Sequence, residues 1–327
     1  MSTHHWQAVA LSREVTRHPL RVMYDGAPVV LFRAGGRVSA LVDRCPHRMV
    51  ALSGGRVVGD TLECPYHGWR FDAGGACLDI PGHIGDLPRC RVGRYHATEQ
   101  DGAVFIARDL PDAPPYTHVL TGQSPVCRLV KSTAQSRLVD VAENILDATH
   151  THVTHKGLLR GLSAKRHRVT VTVTGGAGWV AASYKGEDRQ DGLVSKLLDG
   201  ARTKTIGRYR HPGIAELEYW GPRGLVLATT FHLRQADTDT VEGIGWLAGP
   251  AQGVLGQIKA MAFKPLFNIA LAQDRRVLRS AYENARLAGG ASPVIGPLDF
   301  LRRDITAIIA GELPAAATTP RQYQIAL

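Results

Sequence analysis

The sequence predicts an α+β protein of two domains: an all-β first third, then a domain in which a run of strands lies between helices. Three observations predict it. Short apolar runs separated by glycine turns fill the first hundred residues. Leu110-Pro111-Asp112-Ala113-Pro114-Pro115 then places three prolines in five residues, the composition of a semi-rigid linker. Beyond it, alternating apolar/polar runs are bracketed by stretches of helical spacing. At 327 residues the chain is long enough to bury two cores. The boundary divides it into residues 1–115 and 116–327.

In the first part, Val29-Val30-Leu31-Phe32 and Val38-Ser39-Ala40-Leu41-Val42 flank Ala34-Gly35-Gly36-Arg37, a hairpin signal. Asp25-Gly26, Gly59-Asp60 and Ala73-Gly74-Gly75 mark further tight turns. In the second part a strand is expected near 126–130, followed by a helix from Leu138 to His155. The alternation in Arg168-Val169-Thr170-Val171-Thr172-Val173 marks the next strand. Others are expected at 177–184, 204–210, 215–220, 225–234 and 241–248. Leu266, Ile269, Ala270, Val277, Leu278 and Tyr282 recur at near-helical spacing and predict a long helix over 266–288. Glu312 to Leu327, rich in Ala, Thr and Pro, reads as a tail. No internal repeat is present.

Composition narrows the class. No apolar run approaches the length of a membrane span, and Met1 to Ala10 lacks the apolar core of a secretion signal, so a cytoplasmic protein is expected. Cys77, Cys90 and Cys127 have no framework spacing and read as reduced thiols. The net charge of +10 sits almost wholly in the second part. Residues 1–115 hold 13 Arg, no Lys and 12 acidic residues. Charge alone permits nucleic-acid binding, but aromatic residues are scarce and no binding motif accompanies it. Docking of an acidic electron-donor protein is a sharper reading, and a solvated Arg-rich surface is the plainest one.

The chemistry is concentrated in Cys45-Pro46-His47 and Cys64-Pro65-Tyr66-His67. Each half offers one thiolate and one imidazole. Two cysteines can hold one iron of a [2Fe–2S] cluster and two histidines the other. Neutral imidazoles in place of thiolates raise the reduction potential. A zinc site of two cysteines and two histidines uses the same ligand types, but zinc motifs usually pair like with like. Proline follows each cysteine, Arg48 follows the first histidine and Gly68-Trp69 the second. With these flanks the segment resembles the Rieske [2Fe-2S] domain.

Downstream of the linker stands Glu143-Asn144-Ile145-Leu146-Asp147-Ala148-Thr149-His150-Thr151-His152-Val153-Thr154-His155. Two histidines and a carboxylate can occupy one face of an iron octahedron and leave the other positions free. On a straight helix His150 and His155 would lie about 140° apart, so the helix must end or distort between them. Asp147 is placed to hydrogen-bond a ligand imidazole. His152 would project elsewhere.

The pattern Asn-x2-Asp-x2-His-x4-His, after Cys-x-His…Cys-x2-His, resembles the Rieske non-heme iron oxygenases. The resemblance extends from Trp6-Gln7-Ala8-Val9-Ala10 to a late helix. It is nearest to the short oxygenase subunits of vanillate and dicamba O-demethylases and toluenesulfonate methyl-monooxygenase. It implies a helix-grip catalytic domain, an antiparallel sheet with helices over it, behind the Rieske domain. It implies cluster binding by Cys45, His47, Cys64 and His67, and mononuclear Fe(II) at His150, His155 and Asp274, the aspartate of Leu271-Ala272-Gln273-Asp274-Arg275-Arg276. Asp237, Asp239 and Glu283 are weaker substitutes. Asp147 and Asn144 are the implied catalytic residues.

The family's head-to-tail homotrimer brings one subunit's cluster to the next subunit's iron, through His67 or His47 to Asp147, with His67 the better candidate. Electrons would come from NAD(P)H through a partner reductase or ferredoxin, since this chain carries no Gly-rich dinucleotide fingerprint. The implied activity is O2-dependent demethylation or hydroxylation of a small aromatic substrate, with ring cis-dihydroxylation as the alternative within the class. From other classes, a Rieske electron carrier with a passive second domain, or a binding protein on a helix-grip fold, would hold no iron beyond the cluster. The segment His155 to Asp199 reads as an entrance loop whose basic residues favour an anionic or polar substrate.

Overall fold

The computed structural model describes residues 5–121, 123, 125–162, 166–186, 202–251 and 253–327. The chain divides into two compact units, Ser2–Tyr116 and Thr117–Leu327. Both are predominantly β.

The first unit has ten strands: β1 (Gln7–Leu11), β2 (Leu20–Tyr24), β3 (Ala27–Ala34), β4 (Arg37–Val42), β5 (Arg56–Val58), β6 (Thr61–Glu63), β7 (Arg70–Phe71), β8 (Cys77–Asp79), β9 (Arg94–Gln100) and β10 (Ala103–Ala107). A six-stranded sheet runs β1-β10-β9-β4-β3-β2, and a four-stranded meander runs β5 to β8. All pairings are antiparallel. Two hairpins close on Asp-Gly pairs with positive φ: Asp25-Gly26 (47° and 73°) and Asp101-Gly102 (46° and 77°). That is the conformation whose twist matches paired strands. β3 is buried on both faces. Val29 and Leu31 enter one core, whereas Val30 and Phe32 enter a second core with Leu41, Leu52, Leu62, Phe71, Cys45 and Cys64. Each such side chain contributes about 1.5–3 kcal/mol by leaving water. The ligand loops are therefore anchored to the sheet through their cysteines.

The second unit holds an eight-stranded antiparallel sheet. Its strands are β11 (Val126–Gln135), β12 (Arg168–Gly176), β13 (Trp179–Lys185), β14 (Lys204–Arg210), β15 (Ile214–Gly221), β16 (Gly224–Gln235), β17 (Thr240–Gly249) and β18 (Arg321–Ala326), in the order β11-β17-β16-β15-β14-β13-β12-β18. Helices α1 (Leu138–Leu146), α2 (Gly253–Leu287) and α3 (Arg302–Ile309) share one core with alternate residues of the sheet. Val169, Val171 and Val173 point into that core, as do Leu227, Phe231 and Leu233, facing Ala142, Leu146, Phe263, Ala270 and Ile305. Intervening residues point the other way, where buried acids are matched. Arg208 donates to Glu216 and Glu218 at 2.9 and 2.7 Å, and Thr230 donates to Glu216 at 2.8 Å. Arg302 ties α3 to α1 by donating to Asp140 (2.7 Å) and to Glu143.

Three sequence expectations need correction. The helix expected to reach His155 ends at Leu146: Asp147 is extended (φ −76°, ψ 116°), and only a 3-10 turn, His150–His152, follows. The Asp147 carboxylate competes for the backbone there, accepting from Thr149 N and Oγ1 at 2.7 Å each and from His150 N at 3.2 Å. The late helix starts at Gly253 and runs through Pro265, rather than starting after that proline. The supposed tail contains β18, which pairs with β12 and places Ile325 and Leu327 in the core. Much of the expected entrance loop, residues 187–199, lies outside the described residues. No helix among the described residues is long and apolar enough to cross a membrane.

Candidate metal centres

The two ligand loops of the first unit are built alike. Cys45 N donates to Val50 O (2.8 Å) and Met49 N to Cys45 O (2.9 Å). Cys64 N donates to Trp69 O (2.8 Å) and Gly68 N to Cys64 O (3.2 Å). Each cysteine thus closes a turn on the residues four and five positions on. Each turn needs a left-handed residue at its fourth step: Met49 at φ 60° and Gly68 at φ 72°. The result is two buried thiols beneath two exposed imidazoles. Burial pushes the Cys45 thiol up to about 11 against the opposing pull of the His47 backbone N–H, and the neighbouring Cys64 adds to the rise. A thiol so placed ionises when a cation takes it. The His47 and His67 rings lie 4.6 Å apart, and His47 stacks on Trp69 at 4.7 Å and 8°. Trp69, known from the sequence only as a flank, thereby sets the ring's orientation. Paired thiols below paired imidazoles suit a cluster with one iron held by two cysteines and the other by two histidines.

The second constellation lies between α1 and α2. His150 Nε2 and His155 Nε2 are 3.3 Å apart, and Asp274 Oδ1 is 3.5 and 3.1 Å from them respectively. Asp274 brings in a group 119 positions after His155 because α2 packs over β11 and α1. The outer nitrogens are occupied: His150 Nδ1 donates to Asp147 Oδ2 (3.2 Å), and His155 Nδ1 to Gln273 Oε1 (2.7 Å). With both protons outside, both inner nitrogens turn lone pairs toward Asp274 Oδ1, which is buried and meets the hydrogen-bond geometry of neither.

Three acceptors converge with no donor among them, and a cation is the partner that fits. Their separations match an octahedral face, whose edge is about 3.0 Å for bonds of about 2.1 Å. Without a metal, a proton serves. Burial opposes charge on His150, but the hydrogen bond to Asp147 and the nearby Asp274 carboxylate outweigh it and push its pKa up to about 9. Burial likewise opposes ionisation of both carboxyls, yet the histidines, and Thr149 for Asp147, hold them below the usual carboxylate range.

Asn144, Asp147, His150, His155 and Asp274 line one cavity of about 110 Å³, otherwise walled mainly by apolar side chains. Of the weaker substitutes, Asp239 is elsewhere, accepting from Tyr282 (2.5 Å) and Arg286 (3.4 Å). Gln273 escaped sequence reading. Its role rests on a contact across 118 positions, and adjacency to Asp274 was its only signal.

Residues 5–88 match the family described as the Rieske [2Fe-2S] domain. The chain carries a Rieske domain. Such a domain implies a [2Fe–2S] cluster. Relatives of the chain include the 4beta-methylsterol monooxygenase of Methylococcus capsulatus, 34% identical over 165 residues that cover 47% of this chain and 45% of that protein. The oxygenase component of dicamba O-demethylase from Stenotrophomonas maltophilia is 39% identical over 103 residues, 31% of this chain and 30% of that protein. The methylxanthine N1-demethylase of Pseudomonas putida is 31% identical over 172 residues, 48% of each. These alignments span less than half the length of the relatives. The folds correspond much further. The crystal structure of dicamba monooxygenase bound to dicamba matches with a TM-score of 0.79 at 19% identity, covering 94% of this chain and 96% of that one.

Proposed function

We propose that this chain is the terminal oxygenase component of a Rieske-type system, using O2 and relayed electrons to demethylate or hydroxylate a small aromatic substrate. One observation carries the reading: His150, His155 and Asp274 turn three metal-donor atoms into one apolar cavity, in a chain that also carries a Rieske domain. Relatives named as O- and N-demethylases and monooxygenases support it. A relative named 3-chlorobenzoate-3,4-dioxygenase oxygenase subunit favours ring dihydroxylation as the second reading.

Cys45, His47, Cys64 and His67 would hold the cluster, and His150, His155 and Asp274 a ferrous iron. When bound, the cluster supplies single electrons and the iron supplies dioxygen activation. The chain's own residues do the rest. Asp147 and Gln273 keep the ligand protons on the outer nitrogens, so the inner ones remain free. The Leu and Phe walls hold an apolar ring and exclude water. Asn144 offers an amide within the same cavity. Electrons would arrive from NAD(P)H by way of a reductase or ferredoxin, and would pass between subunits of a homotrimer from His67 to Asp147 of the neighbour. His67 is exposed and Asp147 keeps 29% of its side chain exposed, so each could meet a partner.

Asp274→Ala tests the reading. It should leave the cluster spectrum intact, lower the iron-to-sulfide ratio to that of the cluster alone, and abolish product formation from a panel of methoxylated, N-methylated and plain aromatic acids with a generic reductase and NADH. Full iron content in the variant would place the third ligand elsewhere.

A further inference from the structure

The cavity beside the His150, His155 and Asp274 donors is bounded mainly by apolar side chains, among them Leu217, Leu227, Phe231 and Phe267. Two guanidinium groups interrupt that lining, Arg160 and Arg202. Arg160 is engaged: it is 8% exposed, and its Nε donates to Thr151 Oγ1 at 2.9 Å. Arg202 is held differently. Its Cζ lies 4.5 Å from the ring centroid of Tyr219, another lining residue. Among the described residues no carboxylate pairs with it. The acids of the cavity, Asp147 and Asp274, are both committed to the histidines.

A guanidinium stacked on an aromatic ring has one face covered and its orientation restrained. Its in-plane N–H fork stays available, and that fork matches the two oxygens of a carboxylate. A half-buried cation that no described carboxylate pairs is unfavourable in an apolar cavity, and an anionic ligand relieves the cost. Size sharpens the choice. About 110 Å³ is well under the 300 Å³ or so at which sites for drug-sized ligands begin, so the occupant is compact.

We propose that Arg202, braced by Tyr219, is the anion anchor of the substrate cavity, and that its ligand is a single-ring aromatic carboxylate or sulfonate whose apolar body lies against the Leu and Phe walls. This deepens the oxygenase reading and rests on it. The acidic group sits at Arg202, so the ring presents its substituents to the rest of the cavity.

Calorimetric titration of the full chain, holding its cluster and iron, with benzoate, benzenesulfonate and the near-isosteric neutral benzamide tests the proposal. Wild-type protein should bind both anions about 10–100-fold more tightly than benzamide, the range of a charge-assisted hydrogen bond. Arg202→Gln should bring the anions to within about twofold of benzamide, while leaving benzamide affinity unchanged. Arg202→Lys, which keeps the charge but loses the fork, should retain part of the preference. Equal affinities in the wild type, failure of all three ligands to bind, or an undiminished preference in Arg202→Gln would overturn the anchor. The iron-to-sulfide ratio of the same preparations separates the two claims. Iron beyond the cluster leaves the oxygenase reading standing when the anchor fails; absence of that iron overturns the oxygenase reading itself.

Discussion

Replacing Gln273 with Leu removes the acceptor that holds His155. The His155 residue is 1% exposed, and its Nδ1 has Gln273 Oε1 at 2.7 Å. Leucine is of similar size and accepts nothing, so the ring is left with a buried N–H, at a cost of about 1–3 kcal/mol. The ring can recover by moving its proton to Nε2, but that nitrogen is the one facing Asp274 at 3.1 Å, and protonation there removes the lone pair a metal needs. Either way the loss falls on metal binding. Removal of such a supporting contact typically weakens metal affinity about 10–100-fold, or about 1.4–2.8 kcal/mol, the same range reached from the hydrogen bond. The assay is anaerobic Fe(II) titration against a competing chelator, with visible absorption of the cluster as an internal control in the other unit. Gln273→Glu keeps an acceptor and adds charge, so it should bind iron at least as tightly as the wild type. A Leu variant that competes for iron as well as the parent would refute the supporting role of Gln273.

His47→Ala should abolish the visible absorption of the cluster, and an unchanged spectrum would remove that residue from the ligand set. Gly68→Ala forces a side chain into φ 72° and sets its Cβ 3.0 Å from Pro81 Cγ. It should cost about 1–2 kcal/mol, seen as a lower denaturation midpoint, while Met49→Gly at the matching step of the other loop should be nearly neutral, because relieved strain and added chain entropy offset each other. Glu99 accepts from Arg33 at 2.7 and 3.0 Å, and that pairing holds its carboxyl below the usual range. Its contribution is therefore present above the unfolded value of about 4.3 and lost as pH falls through the folded one. Since both side chains are about a third exposed, Glu99→Gln should lower stability by about 0.5–1 kcal/mol at pH 7, and the difference from the wild type should shrink as melts are taken to progressively lower pH.

The ligand loops of the first unit were legible because their structure is local. Cys45 and Met49, like Cys64 and Gly68, close hydrogen bonds within five positions of each other, with His47 and His67 inside those turns, so motif and geometry are nearly the same information. The strand at 168–173 was legible for a similar reason: the alternation of Val169, Val171 and Val173 with threonine reports which face is buried before any partner is known. The stretch around Asp147 was readable only in part. Two histidines on incompatible sides of a helix required the helix to stop, but the stop came at Leu146, because the Asp147 carboxylate captures the next backbone N–H groups. That competition depends on side-chain geometry, which periodicity does not contain.

By itself, then, the sequence determined most of the strands, the two-domain order and the Cys-x-His and Cys-x2-His spacing, all written over short distances along the chain. The resemblance alone pointed to Asp274, and the tertiary structure decided how the distant groups meet. Asp274 reaches both histidines and Gln273 reaches His155 because α2 lies over β11 and α1. Arg202 meets Tyr219 because β14 and β15 pair in one register, and β18 is a strand because β12 supplies its hydrogen bonds. Each of these contacts costs chain entropy that neighbours in sequence do not lose and is offset by packing elsewhere in the unit, so no short stretch of residues carries a record of it.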